Sequence, residues 1–205
     1  MISSAAWWNG LLAASILFAS ACGGDGGSSP SENDASLQDA GAGDGGDIAE
    51  SADGSSEEAR ALVHNALWRA VSAADDPFAS EPSDCPADSY GEELLGGELV
   101  FFVRTEWCSP LTVRQSSRVA LEAGERVHIR VYHFPLTAPE DGRAVLVLQI
   151  GDTEMWRGEF EIPSDAEDIG IEWSADQAYP MGTPIWFHVE NHGANEYALV
   201  ALEVP

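Results

Sequence analysis

The chain has 205 residues, of which 35 are Asp or Glu and only nine are Lys or Arg, so its formal net charge is −26. A protein with this balance has no basic surface that could neutralise phosphates, which excludes nucleic acid and anionic lipid headgroups as partners. The excess of acid continues through residues 86–205, with 21 Asp or Glu against seven Arg.

The N-terminal residues have the pattern of an export signal. The apolar run 11–18 is shorter than the roughly 20 apolar residues of a membrane-spanning helix, and it has the length of a signal-peptide core ahead of small residues. The small residues followed by Cys22 resemble the lipobox of bacterial lipoproteins, although residues 1–10 carry no Lys or Arg. This resemblance implies a signal peptide over 1–21 and a lipidated Cys22.

In that family, acyl chains on Cys22 anchor the protein to a lipid bilayer, so we expect a location in the cell envelope. Gly23 rather than an Asp after the cysteine favours the outer membrane over the inner membrane. Residues 22–56 are predicted to be a disordered tether. Between Gly23 and Ser56 there are nine Gly, seven Ser, eight Asp or Glu and no Lys or Arg, and such a segment cannot bury enough apolar surface to fold.

Residues 57–84 are predicted to form a short helix and a connector. In the stretch 57–72 the apolar residues recur at helical spacing, and two Glu open it, where a helix dipole favours acids. Proline and aspartate then break regular structure up to residue 84.

Cys85 and Cys108 are expected to form a disulfide, since exported proteins fold in oxidising compartments. Two free thiols are the alternative.

Ten short apolar or alternating segments follow, separated by turn sequences rich in Gly, Pro, Asp and Asn. Many short strands without intervening helices favour an all-β fold, an antiparallel β-sandwich or barrel. A domain over 85–205 is long enough for one core and too short for two. The predicted strands are 98–103, 111–115, 118–121, 126–134, 144–150, 154–156, 158–162, 169–173, 184–191 and 197–204.

Several joints between these segments carry resemblances to known proteins. The stretches "GEELLGGELVFFV", "HFPLTAPEDGRA", "IGDTEMW" and "AYPMGTPIWFHVENHGANEYAL" resemble a group of secreted or lipid-anchored proteins predicted from myxobacterial genomes. That resemblance covers roughly Trp68 to the C-terminus and brings no function with it. The closing Gly-Thr-Pro turn and final strands are similar to jelly-roll carbohydrate-binding modules, which implies a jelly-roll-like sandwich and, as a likeness of fold, nothing about ligand.

Aromatic and polar residues on two predicted strands suggest a binding surface. Sugar rings stack on aromatic planes, while Asn, Asp, Glu or Arg side chains bind their hydroxyls. Strands 126–134 and 184–191 each place such residues on one face, because side chains alternate along a strand. The alternative is that the aromatic residues fill the ends of the sandwich. If the two strands are neighbours, the candidate binding residues are Trp186, His188, Glu190, Asn191, Arg130 and Tyr132.

Metal binding and catalysis find less support in the sequence. His188, Glu190 and His192 are spaced two apart and could supply metal ligands, but zinc needs three or four converging ligands, and "NHG" at 191–193 is typical of a turn. We therefore predict no metal and no cofactor, and His192 as a turn residue. His133 shares its face with apolar residues and is interpreted as a core histidine. No nucleophile elbow is present, so no catalytic residue is predicted.

The sequence is consistent with three hypotheses for the function of the protein. The favoured hypothesis is a non-enzymatic, membrane-anchored binding module for a glycan or a protein. The second is a hydrolase or metal-dependent enzyme that uses the same sheet face, and the third is a structural component of the envelope without a small ligand. An exposed aromatic side chain in a groove with polar neighbours would favour the first of them.

Overall fold

The computed structural model of the chain describes residues 59–78 and 85–205. Two antiparallel β-sheets pack face to face and enclose one apolar core, so the predicted antiparallel β-sandwich is confirmed. A 3-10 helix covers Asn65–Leu67. The strands are β1 Arg60–Ala61, β2 Arg69–Ala70, β3 Tyr90–Leu95, β4 Glu98–Arg104, β5 Leu111–Ser116, β6 Arg126–His133, β7 Gly142–Ile150, β8 Thr153–Ile162, β9 Glu167–Ser174, β10 Pro184–Asn191 and β11 Glu196–Val204.

The last two strands along the chain lie at the centres of the two sheets. Sheet A has the order β3-β4-β11-β6-β9, and the short β1 pairs with the far end of β11. Sheet B has the order β2-β5-β10-β7-β8. Every named pair of strands is antiparallel. Each sheet therefore has an inner face on the core and an outer face.

Alternation of apolar residues explains which face each strand buries. Along β6, Val127, Ile129, Val131 and His133 are buried, whereas the residues between them are partly exposed. Strand β7 is apolar at both parities, and Val147 is buried although it lies on the outer face of sheet B. Because Val145 and Val147 are buried on the outer face while Leu146 and Leu148 face the core, the continuous apolar run of β7 fits a strand that is buried on both faces.

Aromatic rings from both sheets meet in the core. Phe101 of β4 and Phe187 of β10 make an edge-on contact with ring centroids 6.4 Å apart. Trp68 packs against both rings, at 5.6 Å from Phe101 and 6.4 Å from Phe187. Tilted and edge-on pairs of this kind contribute about 0.5–1.5 kcal/mol each beyond the area they bury.

The helix predicted over 57–72 is wrong in the part that the structure describes. That part contains β1, the 3-10 helix and β2 instead. Leu62 donates its amide hydrogen to Leu202 O at 2.9 Å and accepts from Arg118 N at 2.8 Å. These bonds tie the segment to its neighbours in extended form, and tertiary pairing outweighs a weak helix propensity.

Three differences concern strands. The predicted strand 118–121 is absent, and Leu121 makes only an isolated bridge to Tyr179. The segments 154–156 and 158–162 form a single strand, β8, with an irregularity opposite Leu148 and Gln149. Strand β3 was not predicted because its sequence, YGEELL, is polar; it pairs with β4 at the edge of sheet A.

The predicted disulfide is confirmed. Cys85 and Cys108 are joined, with their Cα atoms 4.7 Å apart, and Cys108 is buried in the core. No helix among the described residues has the length and hydropathy to cross a membrane. The signal peptide over 1–21, the lipidated Cys22 and the tether over 22–56 lie outside the described residues and stay predictions.

Candidate functional site

The structure separates the two halves of the predicted binding set. Strand β10, with Trp186, His188, Glu190 and Asn191, is at the centre of sheet B, where its neighbours are β5 and β7. Strand β6, which carries the other two residues, pairs with β9 and β11 in sheet A. The condition that the two strands are neighbours is therefore not met, and the six residues do not form one surface.

Trp186 does not offer a free aromatic plane. Its side chain lies on the outer face of sheet B, opposite the core residues of β10 as predicted, but it is only 9% exposed. The guanidinium carbon of Arg114 lies 5.2 Å from the centroid of its ring. This cation–π contact stabilises the sheet face by covering the indole. Glu190, two positions further along the strand, is exposed.

His188 is more buried than its position on an outer face suggests, at 3% exposure. Phe78 stacks on its ring with centroids 4.5 Å apart, and Thr112 Oγ1 lies 2.8 Å from its Nδ1. Burial lowers the pKa of His188, while the nearby Asp76 and Glu190 carboxylates act in the opposite direction. A neutral, covered imidazole is not placed to bind a ligand from solution.

Asn191 belongs to the structure of the turn between β10 and β11. Its Oδ1 accepts from Tyr197 Oη at 2.7 Å and from Asn195 Nδ2 at 3.0 Å. Its Nδ2 donates to Thr105 Oγ1 at 2.6 Å and to Gly193 O at 2.8 Å. With both amide donors and both acceptor positions used inside the protein, Asn191 has no capacity left for a ligand.

The possible metal ligands do not converge. His192 lies in the turn, as predicted, and its Nδ1 is 3.0 Å from Arg143 O. Across residues 59–78 and 85–205, no three His, Cys, Asp or Glu side chains are grouped as metal ligands. His133 lies on the core side of β6, with Nδ1 2.9 Å from Phe134 O.

Arg130 and Tyr132 lie on the outer face of sheet A among charged side chains. Arg130 donates to both oxygens of Asp168, at 2.9 and 2.7 Å, and to Glu98 at 3.1 Å. These hydrogen bonds raise the pKa of Arg130 and lower the pKa of Asp168. The ring of Tyr132 meets that of Phe134 edge-on, with centroids 5.0 Å apart.

A groove opens beside this face, where β6 has ended and β11 begins. It has a volume of about 330 Å³. Phe134, which the sequence did not single out, lines it and is 38% exposed, because the chain leaves β6 at this residue and Pro135 follows. Trp107, next in sequence to a lining residue, is 58% exposed. The lining residues are Arg104, Glu106, Phe134, Pro135, Ala194, Asn195 and Glu196.

One of the polar groups in this groove, the Arg104 guanidinium, is held by several partners. Arg104 donates from Nε to Glu196 at 2.7 Å and also forms an ion pair with Glu93. Its guanidinium carbon lies 4.1 Å from the centroid of the Phe102 ring. Two carboxylates and one aromatic plane therefore fix the arginine, so a ligand would meet it without further ordering of the side chain.

No protein-family model matches the sequence, and no curated protein does. Among solved structures, the chain is similar to a CBM4 structure. The two are 17% identical, the match covers 56% of this chain and 89% of that one, and the TM-score is 0.38. The structure of TmCBM61 in complex with beta-1,4-galactotriose is 10% identical, and the match covers 70% of this chain and 96% of that one, with a TM-score of 0.41. TmCBM27, a carbohydrate-binding module that recognises mannan, is 9% identical, and the match covers 72% of this chain and 96% of that one, with a TM-score of 0.42. Similarities at these values do not indicate the ligand of this chain.

Proposed function

We propose that the β-sandwich is a non-enzymatic module that binds carbohydrate in the groove beside Phe134. The observation that carries the proposal is the exposed Phe134 ring in a groove with polar neighbours. The apolar face of a sugar ring can stack on such a ring, while the Glu106 carboxylate can accept hydrogen bonds from its hydroxyls.

The polar groups of the groove suit recognition better than hydrolysis. Of the two carboxylates in its lining, Glu196 is engaged by Arg104. Glycoside hydrolysis ordinarily uses two carboxylates on opposite sides of the scissile bond, and the groove offers Glu106 for such a role without a second carboxylate free to join it. The excess of acid in the domain favours a neutral glycan over one that carries sulfate or uronic acid.

A glycan array probed with the purified full chain, followed by titration calorimetry on the best ligand, tests this function. Phe134→Ala should weaken binding by about 30-fold or more, because a central aromatic anchor contributes about 2 kcal/mol or more. Met181→Ala, which removes a side chain exposed elsewhere, is the matched control and should leave affinity unchanged. An array without any bound glycan, or equal affinities for Phe134→Ala and the unmodified chain, would overturn the proposal.

We further propose that the module is exported and held at the cell envelope, with the outer membrane favoured, by acyl chains on Cys22. The apolar run 11–18, the small residues before Cys22 and Gly23 after it support this. The Cys85–Cys108 disulfide supports an oxidising compartment. Metabolic labelling with palmitate should mark the protein, and Cys22→Ala should abolish the label. Label that persists in Cys22→Ala contradicts the anchor.

A further inference from the structure

Residues 71–78, here called the strap, cross the outer face of sheet B. At one end Val71 donates its amide hydrogen to Thr112 O at 3.0 Å. Further along, Asp76 accepts from the Thr112 hydroxyl at 2.9 Å and from the amide of Phe78 at 2.9 Å. The strap ends with the Phe78 ring on His188. Within the described part of the chain, the side chains of the sheet that hold the strap by a hydrogen bond or a ring contact are Thr112 and His188.

The hydrogen bonds define the form of His188 that fits beneath the strap. Thr112 has one hydroxyl hydrogen, and it is donated to Asp76. The short contact between Thr112 Oγ1 and His188 Nδ1 therefore places the imidazole hydrogen on Nδ1. Nε2 then carries the lone pair, and an added proton has to enter there, on a ring that is almost completely buried.

The charges around His188 come from several elements. The strap contributes Asp76, β10 contributes Glu190, and β8 contributes Arg157. On β5, Arg114 lies over Trp186, and on β7 the residue paired with His188 is the uncharged Val147. Burial outweighs the two carboxylates and lowers the pKa of His188 below its usual value near 6.5, so the closed strap favours the neutral ring.

We propose that the strap is an acid-released latch, which leaves the outer face of sheet B when His188 takes up a proton. The direction of the pH dependence follows from the pKa of His188 with the strap open and with the strap closed. With the strap open the ring is hydrated and titrates near its ordinary value of about 6.5, while under the closed strap it holds a proton less readily. Opening is therefore favoured progressively as the pH falls below about 6.5, by at most about tenfold per pH unit. The latch is on the sheet opposite the Phe134 groove and does not depend on glycan binding.

Hydrogen exchange of the full chain at pH 7 and pH 5, corrected for the intrinsic pH dependence of exchange, tests the latch. Protection of the Val71 and Phe78 amides should fall on the order of tenfold between these pH values, while amides in β7 stay protected. His188→Asn should remove the response, because its amide can donate to Thr112 but does not titrate. His128→Asn, a change of a partly exposed histidine on sheet A, should keep it.

An NMR titration of the His188 ring in the unmodified chain provides a second measurement that needs no variant. The ring should titrate below about 6.5 and should be protonated on Nδ1 at neutral pH. Equal protection of the strap at the two pH values would overturn the proposal. A loss of protection that persists in His188→Asn, or a His188 ring that titrates at or above 6.5, would also overturn it.

Discussion

Replacing Asn191 with alanine should lower the free energy of unfolding of the sandwich by about 3–4 kcal/mol. The substitution leaves the buried Tyr197 hydroxyl without its acceptor and takes one partner each from Thr105 and Asn195. A buried polar group without a partner costs about 1–3 kcal/mol. Burial raises the pKa of Tyr197, so its hydroxyl stays protonated and cannot avoid the cost by ionising.

Urea denaturation followed by tryptophan fluorescence measures this loss. The control is Glu190→Ala, which changes the neighbouring exposed residue and should shift stability by no more than about 0.5 kcal/mol. Tyr197→Phe should make Asn191→Ala less harmful in the double variant, because the orphaned hydroxyl is then absent. Strictly additive effects, or a loss below about 1 kcal/mol for Asn191→Ala, would show that the turn does not depend on this network.

Removing the disulfide should have an effect of similar size. Cys85→Ser with Cys108→Ser should lower the free energy of unfolding by about 3 kcal/mol, since a bridge across 23 residues restricts the unfolded chain. Cys108 is fully buried, so a serine hydroxyl there also loses its hydration. The comparison is a urea titration of the double variant against Cys22→Ser, which leaves the bridge intact and should match the unmodified chain. Equal midpoints for all three proteins would contradict the prediction.

The positions of the strands could be predicted because the alternation of apolar and polar residues is visible within each strand's own sequence. Strand β10 has the predicted bounds, 184–191, and β6 ends one residue before the predicted limit of 134. The helix over 57–72 was wrong across its described residues, 59–72, for the opposite reason. Its apolar spacing suits a helix, but Leu62 bonds to Leu202 of sheet A, and β2, directly after Trp68, pairs with β5 of sheet B. The sequence of the segment itself does not reveal these long-range partners.

The candidate site was predicted less well, because a site depends on which strands lie side by side. The parity of Trp186 and His188 was predicted correctly, but the order of strands, which keeps β6 and β10 in different sheets, was not. Nor could the sequence show that Phe78 would cover His188 from 110 positions away. Phe134 gave no signal because its exposure results from the end of β6 and the proline that follows.

The central positions of β10 in sheet B and β11 in sheet A also constrain the order in which the domain can fold. Synthesis proceeds from the N-terminus, so every other strand is made before β10 and β11. Without residues 184–204, the pairs that remain are β3 with β4, β6 with β9, β2 with β5, and β7 with β8. A lone pair of strands is at best marginally stable in water. The two sheets are therefore complete only after the final strands have been synthesised.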